Sequence, residues 1–203
     1  MTKLWGPLGW MTLHSISLIY PDAPTLEERA IAAKFLDLFG KTITCIFCKN
    51  HFASMYAMYR AAHPEYLNSK QDLALFVFRA HNAVNKRLDK PRLSTVSDCL
   101  KTLENNTVNT SFSQFRMTYL IYLSRNWGQD FSGEGRMLQR DVREMFQINT
   151  DYWTPREITS IPELAEADIL ASIEKYDTVA AYTGNVVQPK VGFAGGRLKL
   201  GRR

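Results

Sequence analysis

Four segments in the first hundred residues carry apolar side chains at the 3.6-residue spacing of a helix. The second begins at Thr25-Leu26-Glu27-Glu28, a capping box, and Ser69 can cap the fourth. We predict that the third starts near Thr44 and ends at His63-Pro64, because the residue before a proline is pushed out of the α region. Four such helices with short connections predict an antiparallel four-helix bundle, to which residues 94–103 can add a short fifth helix.

The chain changes character after residue 104. A polar stretch over residues 104–113 is typical of a linker, and further helices are predicted over residues 115–127, 137–148 and 162–176. From residue 183 the chain is rich in glycine and basic, which is typical of a flexible tail. We therefore expect an all-α protein with a bundle over 1–104, a second helical module over 105–182 and a flexible basic tail over 183–203.

The charge is concentrated at one end of the chain. The net charge of +5 arises from 25 Lys and Arg against 20 Asp and Glu, and residues 186–203 hold five bases and no acid. The remaining body is neutral, which argues against a broad surface for duplex nucleic acid. Nucleic-acid binding stays an alternative that rests on Arg116, Arg125, Arg136, Arg140 and Arg143.

The uncharged stretch over residues 4–21 has the length of a membrane span but not its composition. Gly6, Pro7 and Gly9 interrupt it, together with polar residues, and no small-residue cleavage site follows. We interpret it as neither a signal peptide nor a membrane anchor, and we expect a cytoplasmic protein.

Two of the three cysteines, Cys45 and Cys48, form a C-x-x-C pair. With Thr44 as the N-cap, both would lie in the first turn of the third helix, where free N–H groups and the helix dipole favour a thiolate and lower the pKa of a cysteine. The spacing also places both sulfurs on one helix face. A redox-active pair is therefore one interpretation.

A zinc site is the other interpretation of this region. Cys45, Cys48, His51 and His63 offer four possible zinc ligands and would make the chain a zinc-binding interaction module. Their spacing matches no common zinc-finger pattern, and a helix that continues past His51 would carry His63 away from the other three.

Two helix faces indicate a cofactor pocket. Trp10 and His14 are four residues apart on the first helix, and a second set shares one face of the fourth helix: His81, Val84, Asn85 and Leu88. Each set alone is more typical of packed core. Together with the C-x-x-C pair, they predict a pocket with aromatic faces and hydrogen-bond donors, suited to a planar polar cofactor.

These residues occur in an ordered series over residues 4–98: Trp5-Gly6-Pro7, Trp10, Leu13-His14, Tyr20-Pro21, Cys45-x-x-Cys48, His51-Phe52, His63-Pro64 and His81-Asn82-x-Val84-Asn85-x-x-Leu88-x-Lys90-Pro91. The series resembles the Erv/ALR family of FAD-linked sulfhydryl oxidases, and most closely the versions of large DNA viruses. The resemblance implies a four-helix bundle that holds FAD at its mouth and that usually forms a homodimer through the first two helices.

The resemblance also implies a mechanism and a set of cofactor residues. A protein dithiol would attack Cys45, Cys48 would pass the electron pair to FAD, and O2 would accept the electrons to give H2O2. The family positions that line FAD correspond here to Trp10, His14, Tyr20, His51, His81, Asn82, Val84, Asn85, Leu88 and Lys90.

The chain departs from the family pattern in its cysteines and in its second half. Many members carry a further cysteine pair, either a shuttle disulfide on a terminal arm or a stapling disulfide near the His-Pro. Here Arg60 and Thr95 stand at the positions of the stapling pair, and Cys99 has no partner. We predict Cys99 to be a small buried hydrophobe, with an intermolecular link as the alternative. Because the bundle holds every residue that the chemistry needs, we expect residues 1–104 to act alone on small dithiols. We expect the rest of the chain to dock a protein substrate or to add dimer contacts.

Overall fold

The computed structural model describes residues 2–99, 101 and 111–173, and every regular element in these residues is helical. The elements are α1 (Thr2–Ile19), α2 (Leu26–Thr42), α3 (Ile46–Ala62), α4 (Lys70–Arg87), α5 (Phe112–Gly128), α6 (Gly133–Ile148), a π-helix (Asn149–Trp153) and α7 (Glu166–Leu170). The all-α prediction is confirmed. Residues 96–99 are also helical, within the predicted short fifth helix. The proposed boundaries at 104 and 182 and the tail over 183–203 lie outside the described residues and stay predictions.

Local capping signals set the helix starts. Thr25 and Glu28 form the predicted capping box of α2, and Ser69 caps α4 as predicted. Ser111 opens α5 through a second capping box, so this helix begins three residues before the predicted position. Ser132 caps α6, which begins at Gly133 rather than at residue 137, because a side-chain cap outweighs the low helix propensity of the glycines there.

The prediction of a helix over residues 162–176 is largely wrong. Within the described part of this segment, only Glu166–Leu170 is helical. Backbone carbonyls of this segment accept from side chains of α4: Gln71 donates to the Glu163 carbonyl, before α7, at 2.9 Å, and Arg79 donates to the carbonyl of Asp168 in α7 at 2.7 Å. Tertiary hydrogen bonds therefore override the local helical pattern.

The second half of the chain packs directly on the first. α5 lies along α1, and α6 lies along α2. A single hydrophobic cluster runs through both halves, from Phe35 and Phe39 to Tyr119, Val142 and Trp153. A homodimer through α1 and α2 would therefore need surfaces that α5 and α6 leave uncovered.

Close approach between α1, α2 and α5 depends on one small residue. A side chain at Gly9 would begin 3.3 Å from the ring of Phe39 and 3.6 Å from that of Tyr119. These two rings pack with centroids 5.4 Å apart. Removing residues after 104 would therefore uncover Phe39, which argues against an independent fragment 1–104.

Two buried cations tie the second half to the bundle. Lys70 is 1% exposed, and its ammonium donates to the Ser160 hydroxyl at 2.7 Å. Arg116 is 2% exposed and donates to the Ser15 hydroxyl of α1 at 3.4 Å, as well as to the Asn149 side-chain oxygen at 2.9 Å. Burial lowers the pKa of Arg116 to about 10. Because Arg116 lies in the core, the arginine set considered for nucleic-acid binding loses one of its members.

Candidate functional site

A cavity of about 410 Å³ opens between α1, α3 and α4 and receives residues from α2 and α5. The predicted site residues that line it are Trp10, His14, Cys48, His51, His81, Val84, Asn85, Leu88 and Lys90. The helical spacing within α1 and within α4 thus points both predicted faces into one space.

Aromatic and imidazole rings form one wall of the cavity. The His81 ring lies against Trp10 with centroids 4.4 Å apart and planes 6° apart. His14 Nε2 lies 2.9 Å from His81 Nδ1, so one ring donates a hydrogen bond to the other. Burial lowers the pKa of His14 well below its ordinary value and that of His81 to about 4, with the Lys90 charge adding to the effect at His81. Both rings are therefore neutral at pH 7, and the wall is polar without being charged.

Residues of α3 also line the cavity. Cys48 and His51 are three residues apart on this helix and both line the cavity. Burial lowers the pKa of His51 to about 4, and the nearby charge of Arg87 contributes. Arg87 itself is exposed and lines the same cavity at the end of α4.

The turn after α4 brings a cation to the cavity. Asn85 donates from its side chain to the Pro91 carbonyl at 3.0 Å, and its own carbonyl accepts from the Lys90 backbone N–H at 2.8 Å. Asp89 adopts the left-handed region, with φ of 51°, which the tight turn requires. Lys90 is exposed and lines the cavity beside Leu88.

Two residues that the resemblance assigned to the cofactor lie outside the cavity lining. Tyr20 is fully buried, and its hydroxyl donates to the Leu67 carbonyl at 3.0 Å. Asn82 exchanges two hydrogen bonds of 2.8 Å with the backbone of Leu93, which does line the cavity. Asn82 thus fixes the position of Leu93 in the cavity wall without lining the cavity itself, and Tyr20 packs in the core.

Further cavity residues were missed by the sequence reasoning. These are Gly6, Pro7, Met11, Phe39, Ile43, Phe52, Arg87, Leu93, Cys99 and Phe115. The apolar ones carry no signal that separates them from ordinary core. Phe115 comes from α5, so the second half contributes to the cavity, contrary to the expectation that the first 104 residues hold the complete site.

Cys99 is 4% exposed, and burial raises the pKa of its thiol to about 12. It packs with Met11, Leu18, Phe78 and Val96. This environment agrees with the predicted small buried hydrophobe and leaves little access for an intermolecular link.

The C-x-x-C pair lies at the start of α3, one position away from the predicted register. Cys45 itself is the N-cap, and its sulfur accepts a hydrogen bond from the Cys48 backbone N–H at 3.4 Å. Both cysteines are free thiols in this structure. Cys48 lines the cavity, whereas Cys45 lies outside the lining residues and is followed by Ile46 and Phe47, which are 57% and 59% exposed.

The predicted lowering of a cysteine pKa is wrong for Cys48. Burial first, and then the hydrogen bond to Cys45 and the Cys45 charge, raise the pKa of its thiol to about 12, with the Arg87 charge acting in the opposite direction. The position at a helix N-terminus does not offset desolvation in the dithiol form.

The four candidate zinc ligands do not converge. Cys45 and His63 cap opposite ends of α3, a helix of 17 residues, which corresponds to a length of about 25 Å. His63 instead contacts Glu65 at 3.1 Å. Within residues 2–99, 101 and 111–173, no group of three or more His, Cys, Asp or Glu side chains is arranged to hold a metal ion. Nor does any helix in this part of the chain have the length and apolar character of a membrane span.

Comparisons with known proteins agree with this site. Residues 8–114 match the model of the Erv1 / Alr family. The chain is 33% identical over 106 residues to an FAD-linked sulfhydryl oxidase of African swine fever virus, a match that covers 52% of this chain and 85% of the relative.

Two other relatives are matched over smaller shares of their lengths. The 096R protein of Invertebrate iridescent virus 3, whose name also refers to an FAD-linked sulfhydryl oxidase, is 36% identical over 92 residues, or 45% of this chain and 61% of the relative. A mitochondrial FAD-linked sulfhydryl oxidase of Saccharomyces cerevisiae is 31% identical over 87 residues, or 43% of this chain and 44% of the relative. The chain thus spans less than two thirds of these two proteins. No solved structure gives a significant match.

Proposed function

Because the chain belongs to the Erv1/Alr family, we propose that it is an FAD-linked sulfhydryl oxidase that forms disulfides in protein substrates and reduces O2 to H2O2. One observation supports this function above all: Cys48 lines the cavity that holds the Trp10–His81 ring pair, while Cys45 stands outside it at the helix N-terminus. One sulfur can meet a substrate while the other meets a cofactor.

The cavity residues fit FAD. The parallel Trp10 and His81 rings offer a flat aromatic face, the neutral imidazoles and Asn85 offer hydrogen bonds, and Lys90 offers a cation for the phosphates. When bound, FAD supplies a two-electron acceptor that passes the electrons to O2. The protein's part is to orient the cofactor and to keep Cys48 in its reach.

Thiol–disulfide exchange at the C-x-x-C pair follows from the same placement. In the oxidised protein Cys45 and Cys48 share a disulfide, and a substrate thiolate attacks Cys45 Sγ, which releases Cys48 as a thiolate. A second substrate thiolate then attacks the substrate sulfur of the mixed disulfide and releases Cys45. The substrate has lost two electrons and two protons, and the charge of Arg87 stabilises the thiolate that forms at Cys48.

Protein dithiols are the substrate class that the surface supports. Ile46 and Phe47 are more than half exposed between the two cysteines, so an apolar segment that flanks a substrate cysteine can pack there. The viral relatives support a location in the host cytoplasm or the virion. A homodimer, if formed, uses a surface other than the parts of α1 and α2 that pack against α5 and α6.

The absorption spectrum of the purified protein tests this function. We expect a yellow protein that releases one FAD per chain on denaturation and consumes O2 when dithiothreitol is added. A colourless protein with stoichiometric zinc would overturn the proposal in favour of a metal-binding module, and a colourless, metal-free protein that shifts DNA would favour nucleic-acid binding.

A further inference from the structure

The connection between α2 and α3 leads directly into the redox pair. It consists of residues 43–45, and Cys45 is both its last residue and the N-cap of α3. The backbone at Ile43 and Cys45 is extended, with ψ of 125° and 112°. The Cys45 carbonyl accepts a hydrogen bond from the Lys49 backbone N–H at 2.8 Å, which joins Cys45 to α3. The position of Ile43 and Thr44 before it depends on what these two residues pack against.

Residues of α5 hold this connection from the second half of the chain. Trp127 Nε1 donates to the Thr42 carbonyl at 2.9 Å. The Tyr122 hydroxyl lies 3.1 Å from Thr44 Oγ1, in a hydrogen bond that either group can donate. Thr44 immediately precedes Cys45, so the hydrogen bond between Tyr122 and Thr44 acts one residue away from the cysteine that meets substrate.

Residues of α6 contact the chain both before Cys45 and after Cys48 in the sequence. Glu134 lies 3.5 Å from the ammonium of Lys49, the residue after Cys48. Thr42 Oγ1 lies 3.4 Å from the sulfur of Met145. The second half therefore contacts the chain on both sides of the C-x-x-C motif.

We propose that Tyr122 and Trp127 are positioning residues for the redox pair: by holding Thr42 and Thr44, they keep Cys45 Sγ where it can pair with Cys48 and receive a substrate thiolate. This inference rests on the proposed function. It makes α5 a part of the active site rather than a module attached to a complete oxidase.

The expected consequence is a change in the thiol–disulfide equilibrium. A disulfide forms only when the two Cβ atoms are about 3.5–4.5 Å apart. A loosened connection lets Cys45 spend more time outside that distance, which favours the dithiol form. Losing one hydrogen bond should shift the equilibrium by about fivefold, the size of a typical net hydrogen-bond contribution.

A set of variants in the full-length chain tests the bond from both sides. Tyr122→Phe and Thr44→Val each remove one partner, Thr44→Ser keeps the hydroxyl, and Trp127→Phe removes the indole N–H. Thr118→Val is the matched control, because the exposed Thr118 on the same helix bonds only to the Gln114 carbonyl of α5. Each protein is equilibrated in mixtures of reduced and oxidised dithiothreitol, and the oxidised fraction is read by thiol alkylation and mass spectrometry.

We expect Tyr122→Phe, Thr44→Val and Trp127→Phe to shift the equilibrium towards the dithiol by about fivefold, with Thr44→Ser and Thr118→Val close to wild type. The double variant Tyr122→Phe/Thr44→Val should shift no further than either single variant, because both lose the same bond. The positioning role would be overturned if Tyr122→Phe and Thr44→Val both had the wild-type equilibrium. It would also be overturned if Thr118→Val shifted the equilibrium as far as they do. If Tyr122→Phe does not fold, Thr44→Val reports on the same bond.

This measurement is independent of flavin turnover. A wild-type protein that binds no FAD and consumes no O2 would defeat the proposed function, while the equilibrium of the cysteine pair would still be measurable. Conversely, an active oxidase whose equilibrium is insensitive to Tyr122 and Trp127 would defeat only the positioning role.

Discussion

His81 lies flat against Trp10, with ring centroids 4.4 Å apart and planes 6° apart, although the two residues come from different helices. The imidazole in this stack is neutral at pH 7, because burial and the Lys90 charge lower the pKa of His81 to about 4. The pair forms a rigid aromatic wall beside Cys48, which is the arrangement that a planar cofactor requires.

Removing the stack should weaken FAD binding. We expect Trp10→Ala and His81→Ala to raise the dissociation constant for FAD by about fivefold each, because stacking contributes on the order of 1 kcal/mol beyond the buried area. FAD content after dialysis, measured by absorbance, checks this. His63→Ala changes an imidazole that lies outside the cavity lining, so equal loss of FAD in this control and in His81→Ala would contradict the assignment.

The two redox cysteines should give different spectra. Cys48→Ser should abolish O2 consumption with dithiothreitol while FAD stays bound. Cys45→Ser should also lose turnover, but its remaining thiolate at Cys48 should produce a long-wavelength absorption band beside the flavin. Cys99→Ser should change little, and a band in the Cys48 variant instead would reverse the two roles.

The pH at which this band appears should depend on Arg87. The charge of Arg87 opposes the burial that raises the pKa of Cys48. In a Cys45→Ser background, Arg87→Gln should therefore move the midpoint of the band to higher pH, and Arg87→Lys should restore it in part. Lys41→Gln serves as the control, because Lys41 is exposed and lies outside the cavity lining. An unchanged midpoint in Arg87→Gln would contradict the electrostatic role.

The exposed apolar pair between the cysteines should matter for proteins and not for small thiols. Phe47→Ser should raise KM severalfold for a reduced, unfolded protein such as ribonuclease A and leave the kinetics with dithiothreitol unchanged. Leu26→Ser is a matched control, since Leu26 is 82% exposed at the start of α2. Equal effects of Phe47→Ser on both substrates would indicate a structural defect instead of lost docking.

Folding stability should fall as the pH is lowered from about 6.5 to 4. The unfolded chain protonates its histidines below their ordinary pKa of 6.5. In the folded protein, burial lowers the pKa of His51 and of His81 to about 4, and it lowers the pKa of His14 well below 6.5. Stability present above pH 6.5 is therefore lost progressively on acidification. Thermal unfolding at several pH values measures it, and His81→Asn should flatten the slope; an unchanged slope would contradict the buried neutral imidazole.

Local features of the sequence were sufficient for the first four helices and for the two helix faces that line the cavity. The caps at Thr25 and Ser69 and the stop at His63-Pro64 act within one helical turn, so they can be predicted without knowledge of the fold. Likewise Trp10 and His14 share a helix face by spacing alone, as do His81 and Asn85.

The tertiary structure alone decided how these faces meet and what environment they create. Hydrogen bonding joins His14 to His81 across 67 residues, Phe115 reaches the cavity from α5, and Tyr122 reaches Thr44 across 78 residues. The raised pKa of Cys48 was also beyond sequence reasoning, because desolvation depends on which distant groups cover the sulfur and not on its place in the helix. Helix caps and spacing are short-range properties of the chain, whereas burial is a property of the packed whole.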